Sequence, residues 1–121
     1  MKIRPATRAE IESFYGDYAG FMDHVHAAIE GNRILAMGGL SHQDGKCWGS
    51  LDIREWPQSG VFGIVKALIR GIKSAGETVY VQCNDDSADR FLRLIGFIPT
   101  NNLQPDMRDG TRQLRVYKWQ R

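Results

Sequence analysis

The sequence predicts a single α+β domain, and three patterns along the chain indicate this class. Apolar residues recur at the spacing of one helix face in residues 8–20, 58–76 and 84–96. Between the first two of these segments, residues 24–54 alternate apolar and polar side chains with the period of two that is typical of strands. A length of 121 residues suits one domain, residues 1–121, because domains of roughly 100–150 residues are the commonest.

The composition is that of a globular protein and excludes several other classes. Hydrophobic residues make up 42% of the sequence and charged residues 25%, which is unlike a disordered chain. No apolar run approaches the ~18–20 residues of a membrane span, and the first residues lack the apolar core of a signal peptide. We therefore expect a cytoplasmic protein without membrane contact. The formal charge of +2 does not indicate a nucleic-acid partner.

The two cysteines, Cys47 and Cys83, show neither a Cys-x-x-Cys spacing nor a paired histidine motif. The sequence therefore predicts no metal site and no disulfide. Both residues are interpreted as small buried apolar side chains, and the alternative is a reactive thiol.

The start of the chain predicts a strand followed by a helix. Lys2–Arg4 leads into Pro5, which suits a strand at the edge of a sheet. Thr7 and Glu10 fit the capping box of a helix start, and Gly20 is the predicted end of this helix. The apolar face of the predicted helix is formed by Ile11, Phe14, Tyr15 and Tyr18.

The region of period two predicts three antiparallel strands joined in sequence order. Turn residues at Gly31–Asn32 and Gln43–Gly45 separate them. Gly38 and Gly39 interrupt the middle strand, which indicates either a bulge or the close approach of another segment.

The second half of the chain alternates helices and strands. After Pro57, residues 58–76 predict an amphipathic helix that ends at Gly76. Residues 78–83 are β-branched and aromatic and predict a strand, and residues 84–96 predict a further helix. A turn at Asp109–Gly110 precedes a last strand, Gln113–Trp119. The predicted order of elements is β-α-β-β-β-α-β-α-β-β.

The loop Gln58–Gly63 has the composition of an anion site. It is rich in glycine and serine and opens a helix, where backbone N–H groups lack partners and the helix dipole is positive. It could hold a pyrophosphate such as that of coenzyme A. The alternative is that Gly60 is only a helix cap and Gly63 only a helix-packing glycine.

The order of elements and three stretches of sequence resemble the GNAT superfamily of acyl-CoA-dependent N-acyltransferases. The stretch NDDSADRFLRLIGF is similar to the Asn-containing strand end, the helix and the closing Gly-Phe of that family, here Asn84, Ala88 and Gly96–Phe97. IRPATRAEIESF resembles the first strand and helix of the family, and AAIEGNRILAMGGL its second and third strands. The resemblance implies a mostly antiparallel sheet that splays between strands four and five to admit acetyl-CoA as cosubstrate.

By position, the resemblance also implies which residues hold the cofactor. The fourth strand would offer backbone groups to the pantetheine arm and the thioester, and Asn84 and Arg90 would contact the pantetheine and the nucleotide. The alternative role of Asn84 is to cap the helix that follows. The residues expected on the fourth strand are Leu51, Asp52, Ile53 and Arg54. Those expected on the phosphate loop are Ser59, Gly60, Val61, Phe62 and Gly63.

Catalysis would require a base for the attacking amine and an acid for the departing thiolate. Asp52 is the expected base, and its alternative role is to pair with Arg54. The other candidate bases are His24, His26 and Glu30. Tyr117 or Tyr80 would be the acid, and each is otherwise a packing residue.

Two positions depart from the family's pattern. The glycines after Gln58 are spaced Gly-x-x-Gly, at Gly60 and Gly63, where the family has Gly-x-Gly/Ala. Leu92 stands where many members have the tyrosine that protonates the thiolate. A positioned acid typically contributes about 10²- to 10⁴-fold to a rate.

Two hypotheses follow. The first is an N-acetyltransferase that moves an acetyl group from acetyl-CoA to a primary amine of a small molecule or a protein, by direct attack. The second is a non-catalytic protein of the same fold that serves as an assembly or interaction module. The small size and the ending GTRQLRVYKW resemble short GNAT-like proteins of tailed phages, which implies phage partners and an association with the virion. The sequence leaves a homodimer open.

Overall fold

The computed structural model describes residues 2–55, 62–107 and 109–120. Its elements are β1 (Lys2–Pro5), α1 (Arg8–Tyr15), a 3₁₀ helix (Gly16–Phe21), β2 (Asp23–Glu30), β3 (Arg33–Gln43), β4 (Lys46–Ile53), α2 (Phe62–Ala75), β5 (Val79–Cys83), α3 (Asp86–Leu94), β6 (Ile98–Pro105) and β7 (Gln113–Trp119). The predicted class and element order are confirmed. The described strands form one sheet in the order β1-β2-β3-β4-β5-β7-β6, and only β4 and β5 pair in parallel.

The capping box predicted from the sequence starts α1. The Glu10 N–H donates to Thr7 Oγ1 at 3.2 Å, and the Thr7 N–H donates to Glu10 Oε1 at 2.9 Å. Both nitrogens of the Arg4 guanidinium also donate to the Glu10 carboxylate, at 2.8 and 2.7 Å. Glu10 therefore caps the helix and joins it to β1.

The helix is shorter than predicted. It ends at Tyr15, and a 3₁₀ helix continues to Phe21, whereas the sequence placed the end at Gly20 and Tyr18 on the apolar face. Gly16 has φ 60°, a positive value that glycine adopts without steric cost, and its N–H bonds to the Glu12 carbonyl. The glycine at the end of the α-helix is therefore Gly16.

The helices cover both faces of the sheet. Ala27 lies in a buried cluster with Ile11 of α1, and its neighbour Ala28 lies in a cluster with Ile64 of α2. Successive side chains of a strand point to opposite faces, so α1 and α2 lie on opposite sides. Ile72 of α2 and Leu92 of α3 share the largest cluster, which places α3 on the α2 side. None of the described helices is long and apolar enough to cross a membrane.

Both structural alternatives proposed for the paired glycines occur. The register of β2 on β3 shifts between Asp23 and His26, so that two residues of β2 lie opposite Gly39. A Cβ atom on Gly38 would lie 2.9 Å from the Ser50 carbonyl oxygen of β4. The bulge thus lies in β2, opposite Gly39 at one edge of the middle strand, and Gly38 makes a close backbone contact at the other edge.

The resemblance to the family implies a variable acceptor loop at Asn101–Asp109, but this segment is in large part a strand. Residues 101–105 belong to β6, where Leu103, Gln104 and Pro105 pair with β7. A register shift lies between Pro99 and Leu103, and it interrupts the alternation by which the sequence would have revealed the strand.

The sheet opens between its fourth and fifth strands, as the resemblance implied. β3 and β4 pair from Gln43 and Lys46 as far as Ala36 and Ile53. By contrast, β4 and β5 pair only at Cys47 with Val79 and at Trp48 with Tyr80. Beyond these two pairs no further pairing joins β4 to β5 within the described residues. A Cβ atom on Gly49 would still lie 3.4 Å from Val81 Cγ1, so the gap, here called the slot, begins after Gly49 and lies between residues 50–53 of β4 and the end of β5.

Candidate active site between the fourth and fifth strands

The β4 edge of the slot presents backbone groups of Leu51 and Ile53. The Arg54 N–H donates to the Leu35 carbonyl of β3 at 2.8 Å. Residues of an antiparallel strand direct their N–H and C=O groups alternately to one side and the other. Asp52 therefore bonds toward β3 like Arg54, while Leu51 and Ile53 are directed toward β5, which has separated from β4 at this level.

The side chains of β4 divide between the two faces of the sheet. Leu51 and Ile53 pack on the α2 side, against the cluster that contains Ile64. The Ser50 hydroxyl donates to Met22 Sδ at 3.7 Å, on the α1 side. Asp52 follows Ser50 by two positions, so its half-buried carboxylate lies on the α1 side, beside the slot.

Arg54 is held by α1 rather than by the slot. Its guanidinium carbon lies 3.8 Å from the centre of the Phe14 ring, and Nη2 donates to the Phe14 carbonyl at 3.3 Å. A cation at this position is also stabilised by the negative, C-terminal end of the α1 dipole. The backbone and side-chain contacts of Arg54 therefore lie away from the position expected for the cofactor.

The expected phosphate loop falls largely outside the described residues. Ser59, Gly60 and Val61 lie in the gap, and the structure resumes at Phe62, where α2 begins. Gly63 is in the first turn of α2, whose N-terminal end carries partial positive charge. Leu51 and Ile53 pack against the cluster that contains Ile64 of the first turn of α2, which places this helix end on the same face of the sheet as their side chains.

The start of α3 is capped by a residue that the sequence analysis did not single out. Asp85 Oδ1 accepts from the Ala88 N–H at 2.7 Å. The alternative role proposed for Asn84, that of helix cap, therefore belongs to Asp85. Asn84 is exposed and follows β5, and its carbonyl accepts from Arg112 Nη2 at 3.3 Å. Arg90 is exposed on α3.

Tyr117 interacts with an aspartate of α3. Its hydroxyl donates to Asp89 Oδ1, which also accepts from Arg93 Nε at 2.8 Å. The bond to Asp89, together with burial, raises the pKa of Tyr117 to about 12. The bonds from Tyr117 and Arg93 lower the pKa of Asp89. Tyr117 thus stays protonated at neutral pH, and its hydroxyl already donates to a carboxylate.

A polar cleft of about 350 Å³ adjoins the slot at the end of β5. It lies under the start of α3, and the side chain of Cys83, the last residue of β5, faces it. The Cys83 thiol is half-buried and donates to the Asp85 carbonyl at 3.4 Å. The residues that line the cleft include Cys83, Asn84, Asp89, Arg112, Arg115 and Tyr117.

The two remaining acid positions are packing sites. Leu92, at the position of the family's tyrosine, is buried in the same hydrophobic cluster as Tyr117 and is a core residue. The Tyr80 ring lies 5.6 Å from the Trp48 ring, and Lys46 Nζ lies 5.1 Å from the Tyr80 ring centre. Tyr80 therefore packs at the closed end of the slot.

The other candidate bases lie on β2, which β3 and β4 separate from β5. His24 and His26 are exposed, and His26 pairs with Gly38 of β3. Glu30 is the last residue of β2 and pairs with Arg33. Among the four candidates, Asp52 is the one on a strand that borders the slot.

Asp89 is a site residue that the sequence analysis missed. Acidic residues are common in the first turn of a helix because they interact favourably with the helix dipole. An aspartate at this position therefore did not indicate a functional site. It lies 28 residues from Tyr117 along the chain. Only the packing of α3 on β7 brings the two together.

No protein-family model and no curated protein matches the sequence. Solved structures do match in fold. The IAA acetyltransferase from Bacillus cereus ATCC 14579 superposes with a TM-score of 0.71 at 13% identity, over 99% of this chain and 99% of that one. The ribosomal-protein-S18-alanine N-acetyltransferase from Escherichia coli gives 0.72 at 10% identity, over 98% and 92%. A putative acetyltransferase from Salmonella typhimurium, solved with its cofactor acetyl-CoA, gives 0.67 at 15% identity, over 98% and 92%.

These likenesses define the fold. The chain has the fold of the GNAT superfamily over nearly its whole length, as the sequence resemblance implied.

Proposed function

We propose that the protein is an N-acetyltransferase that binds acetyl-CoA in the slot between β4 and β5. The observation that carries the proposal is the end of β4–β5 pairing after Trp48 and Tyr80, which leaves a strand edge where Leu51 and Ile53 pack against the cluster at the start of α2. The fold likeness to a structure solved with acetyl-CoA supports the same assignment. Acetyl-CoA would supply an acetyl group activated as a thioester.

The residues of β4 fit such a ligand through their backbone. The N–H groups of Leu51 and Ile53 are directed toward the slot, where they would donate to the carbonyl oxygen and to the amides of the pantetheine arm. Donors fixed in a sheet need no reorganisation as charge develops on an oxygen, which is the basis of oxyanion stabilisation. The strand that shapes the slot would thus also polarise the reacting carbonyl.

Asp52 is the proposed base. Its carboxylate lies on the α1 side of β4, so we propose that the amine enters from that face. A primary ammonium has a pKa near ~10.4 and must lose a proton before it attacks. Asp52 would accept that proton directly or through water.

The departing thiolate would leave without a dedicated acid. Leu92 is buried, and the Tyr117 hydroxyl already donates to Asp89. A thiol has a pKa of only ~8.5, so its thiolate is a tolerable leaving group at neutral pH. We therefore expect a slow enzyme, lower in rate by up to the ~10²- to 10⁴-fold that a positioned acid contributes.

Calorimetric titration with acetyl-CoA tests the binding step. A ligand at ~100 times its dissociation constant adds about 2.7 kcal/mol to the free energy of unfolding, which raises the Tm of a domain of this size by roughly 5–15 °C. Release of free thiol in the presence of a panel of amines then tests the transfer. Absence of both heat and a Tm shift at millimolar acetyl-CoA would refute the assignment.

The second candidate is a non-catalytic module for assembly or interaction. Two observations favour this candidate. Leu92 occupies the position of the family's tyrosine, and the Tyr117 hydroxyl is hydrogen-bonded to Asp89. Such a protein would bind partner proteins or form a homodimer. The resemblance in size to short phage proteins implies that the partners would be phage proteins. Acetyl-CoA binding without turnover on any amine would support the module, and turnover would exclude it.

A further inference from the structure

Three side chains with metal-binding atoms meet at the closed end of the slot. They are His42, Cys47 and Glu77, and their ligand atoms all lie within 4.8 Å of one another. His42 Nε2 lies 3.3 Å from Glu77 Oε2. The group is separate from the proposed acetyl-CoA site, which lies toward the other end of β4.

The fold explains why these residues meet. His42 of β3 and Cys47 of β4 are direct cross-strand partners. The Arg54 N–H bonds to β3, so the even-numbered residues of β4 are hydrogen-bonded to β3 and the odd-numbered ones are not. His42 and Cys47 therefore form a non-hydrogen-bonded pair, the type of pair in which side chains lie closest. Glu77 precedes Val79 by two residues, and Val79 pairs with Cys47 from the other side. The three ligands therefore come from three neighbouring chain segments around one point of the sheet.

We propose that His42, Cys47 and Glu77 form a Zn²⁺ site that clamps β3, β4 and the segment entering β5. An imidazole nitrogen, a thiolate and a carboxylate are the donors that zinc uses, and three protein ligands leave a fourth position for water. No sequence motif indicates this site, because a hairpin turn and a helix separate the three ligands and their spacing is not that of a zinc motif.

The geometry requires small movements of exposed side chains. Tetrahedral Zn²⁺ with bonds of ~2.0–2.3 Å holds its ligand atoms roughly 3.5 Å apart. The His42 and Glu77 side chains are 52% and 47% exposed, so both can turn toward Cys47, which is fully buried. Lys46 does not compete for the carboxylate, since its ammonium lies over Tyr80 on the opposite face.

Metal binding would change the state of Cys47. Burial, and then the charge of Glu77, raises the pKa of its thiol. Coordination replaces the S–H proton with the metal, and the proton passes to solvent. The bound cation would also offset the negative charge of Glu77.

The clamp would act on the point where the sheet divides. Cys47 and Val79 form one of the two residue pairs that join β4 to β5. A metal that ties Cys47 to Glu77 would hold this junction and so fix where the slot begins. Zinc would stabilise the folded chain in proportion to the logarithm of its concentration over the dissociation constant.

Titration of the full chain, stripped of metal with EDTA, tests the site. Co²⁺ serves as the spectroscopic probe because its thiolate complexes absorb in the near ultraviolet, and competition with Zn²⁺ then gives the zinc affinity. We expect a saturable one-to-one thiolate band in the wild type and its loss in Cys47→Ala. His42→Ala and Glu77→Gln should each weaken zinc binding at least ~10-fold, the lower bound for loss of a supporting contact.

Matched controls are His26→Ala, Glu12→Gln and Cys83→Ala, which should leave the affinity unchanged. The two exposed ligand variants should fold even if Cys47→Ala does not, so they decide the matter in that case. A wild type without a saturable band, a band retained in Cys47→Ala, or equal losses in ligand and control variants would overturn the proposal.

Discussion

The Tyr117 hydroxyl donates a hydrogen bond to the Asp89 carboxylate and so joins the last strand of the sheet to the first turns of α3. Arg93 holds the same carboxylate from the next turn of the helix. The tyrosine that the sequence offered as a catalytic acid is thus part of an arrangement that holds a helix on the sheet. The contribution of the Tyr117–Asp89 hydrogen bond to stability can be measured from the change in stability with pH as Tyr117 ionises.

Tyr117→Phe should lower the Tm at neutral pH by roughly 3–6 °C, because the charge-assisted bond is lost. The folded-state pKa of about 12 lies above the ordinary value of 10.0, so this stabilisation is complete below pH 10 and lost as the pH rises through 12. Thermal unfolding followed by circular dichroism should show the two curves converging between these values. Tyr80→Phe is the control, and a constant difference with pH would contradict the assignment.

Glu10→Gln should remove an acid-dependent part of the stability. The two bonds from Arg4 and the capping bond from Thr7 lower the pKa of Glu10 from 4.5 to about 2. A lowered pKa stabilises the fold above pH 4.5, and this stabilisation is lost as the pH falls through 2. The Tm of the variant should therefore approach that of the wild type over this range. Glu12→Gln, on the exposed side of the same helix, should keep the wild-type dependence.

Gly38→Ala and Gly71→Ala should change stability in opposite directions. A Cβ on Gly38 would lie 2.9 Å from a backbone oxygen of β4, so a strand must shift at a cost of about 1–3 kcal/mol. Gly71, within α2, has nothing within 4 Å of an added Cβ, so alanine should stabilise that helix by up to ~1 kcal/mol. Urea unfolding midpoints give both values. A neutral Gly38→Ala would show that β3 and β4 can separate freely.

Asp52→Asn should lower turnover about 10²- to 10⁴-fold and leave the affinity for acetyl-CoA nearly unchanged, if Asp52 is the base. Steady-state rates and calorimetric affinities separate the two effects. Asp44→Asn is the matched control, since Asp44 lies in an exposed hairpin turn with φ 54°, a conformation that asparagine also adopts. Undiminished turnover in Asp52→Asn would remove this residue from the mechanism.

Ile53→Pro tests the backbone edge of the slot. Proline removes the N–H directed toward the slot and spares the bond from Arg54 to Leu35, as on an edge strand. Relative to Ile53→Ala, which loses the same side-chain packing, we expect acetyl-CoA affinity to fall roughly 5- to 10-fold for one lost hydrogen bond. Equal affinities in the two variants would place the cofactor elsewhere.

Local patterns sufficed for most of the architecture. The capping box at Thr7 and Glu10, the period-two region and the β5–α3 stretch each depend on neighbours in sequence, and each forms as predicted. The end of α1 and the extent of β6 differ because a positive φ at Gly16 and a register shift after Pro99 are settled by packing and pairing. Hydrophobic periodicity in the sequence reveals neither the positive φ nor the register shift.

What the sequence by itself determined was the order of helices and strands and the face that each one buries, because hydrophobic periodicity and capping act within a few residues. The tertiary structure alone decided which side chains share a site. Asp89 reaches Tyr117, Glu77 reaches His42 and Cys47, and Arg54 turns to Phe14, all through contacts between segments far apart in the chain. The slot has the same origin, since strand pairing at a distance sets where β4 and β5 separate.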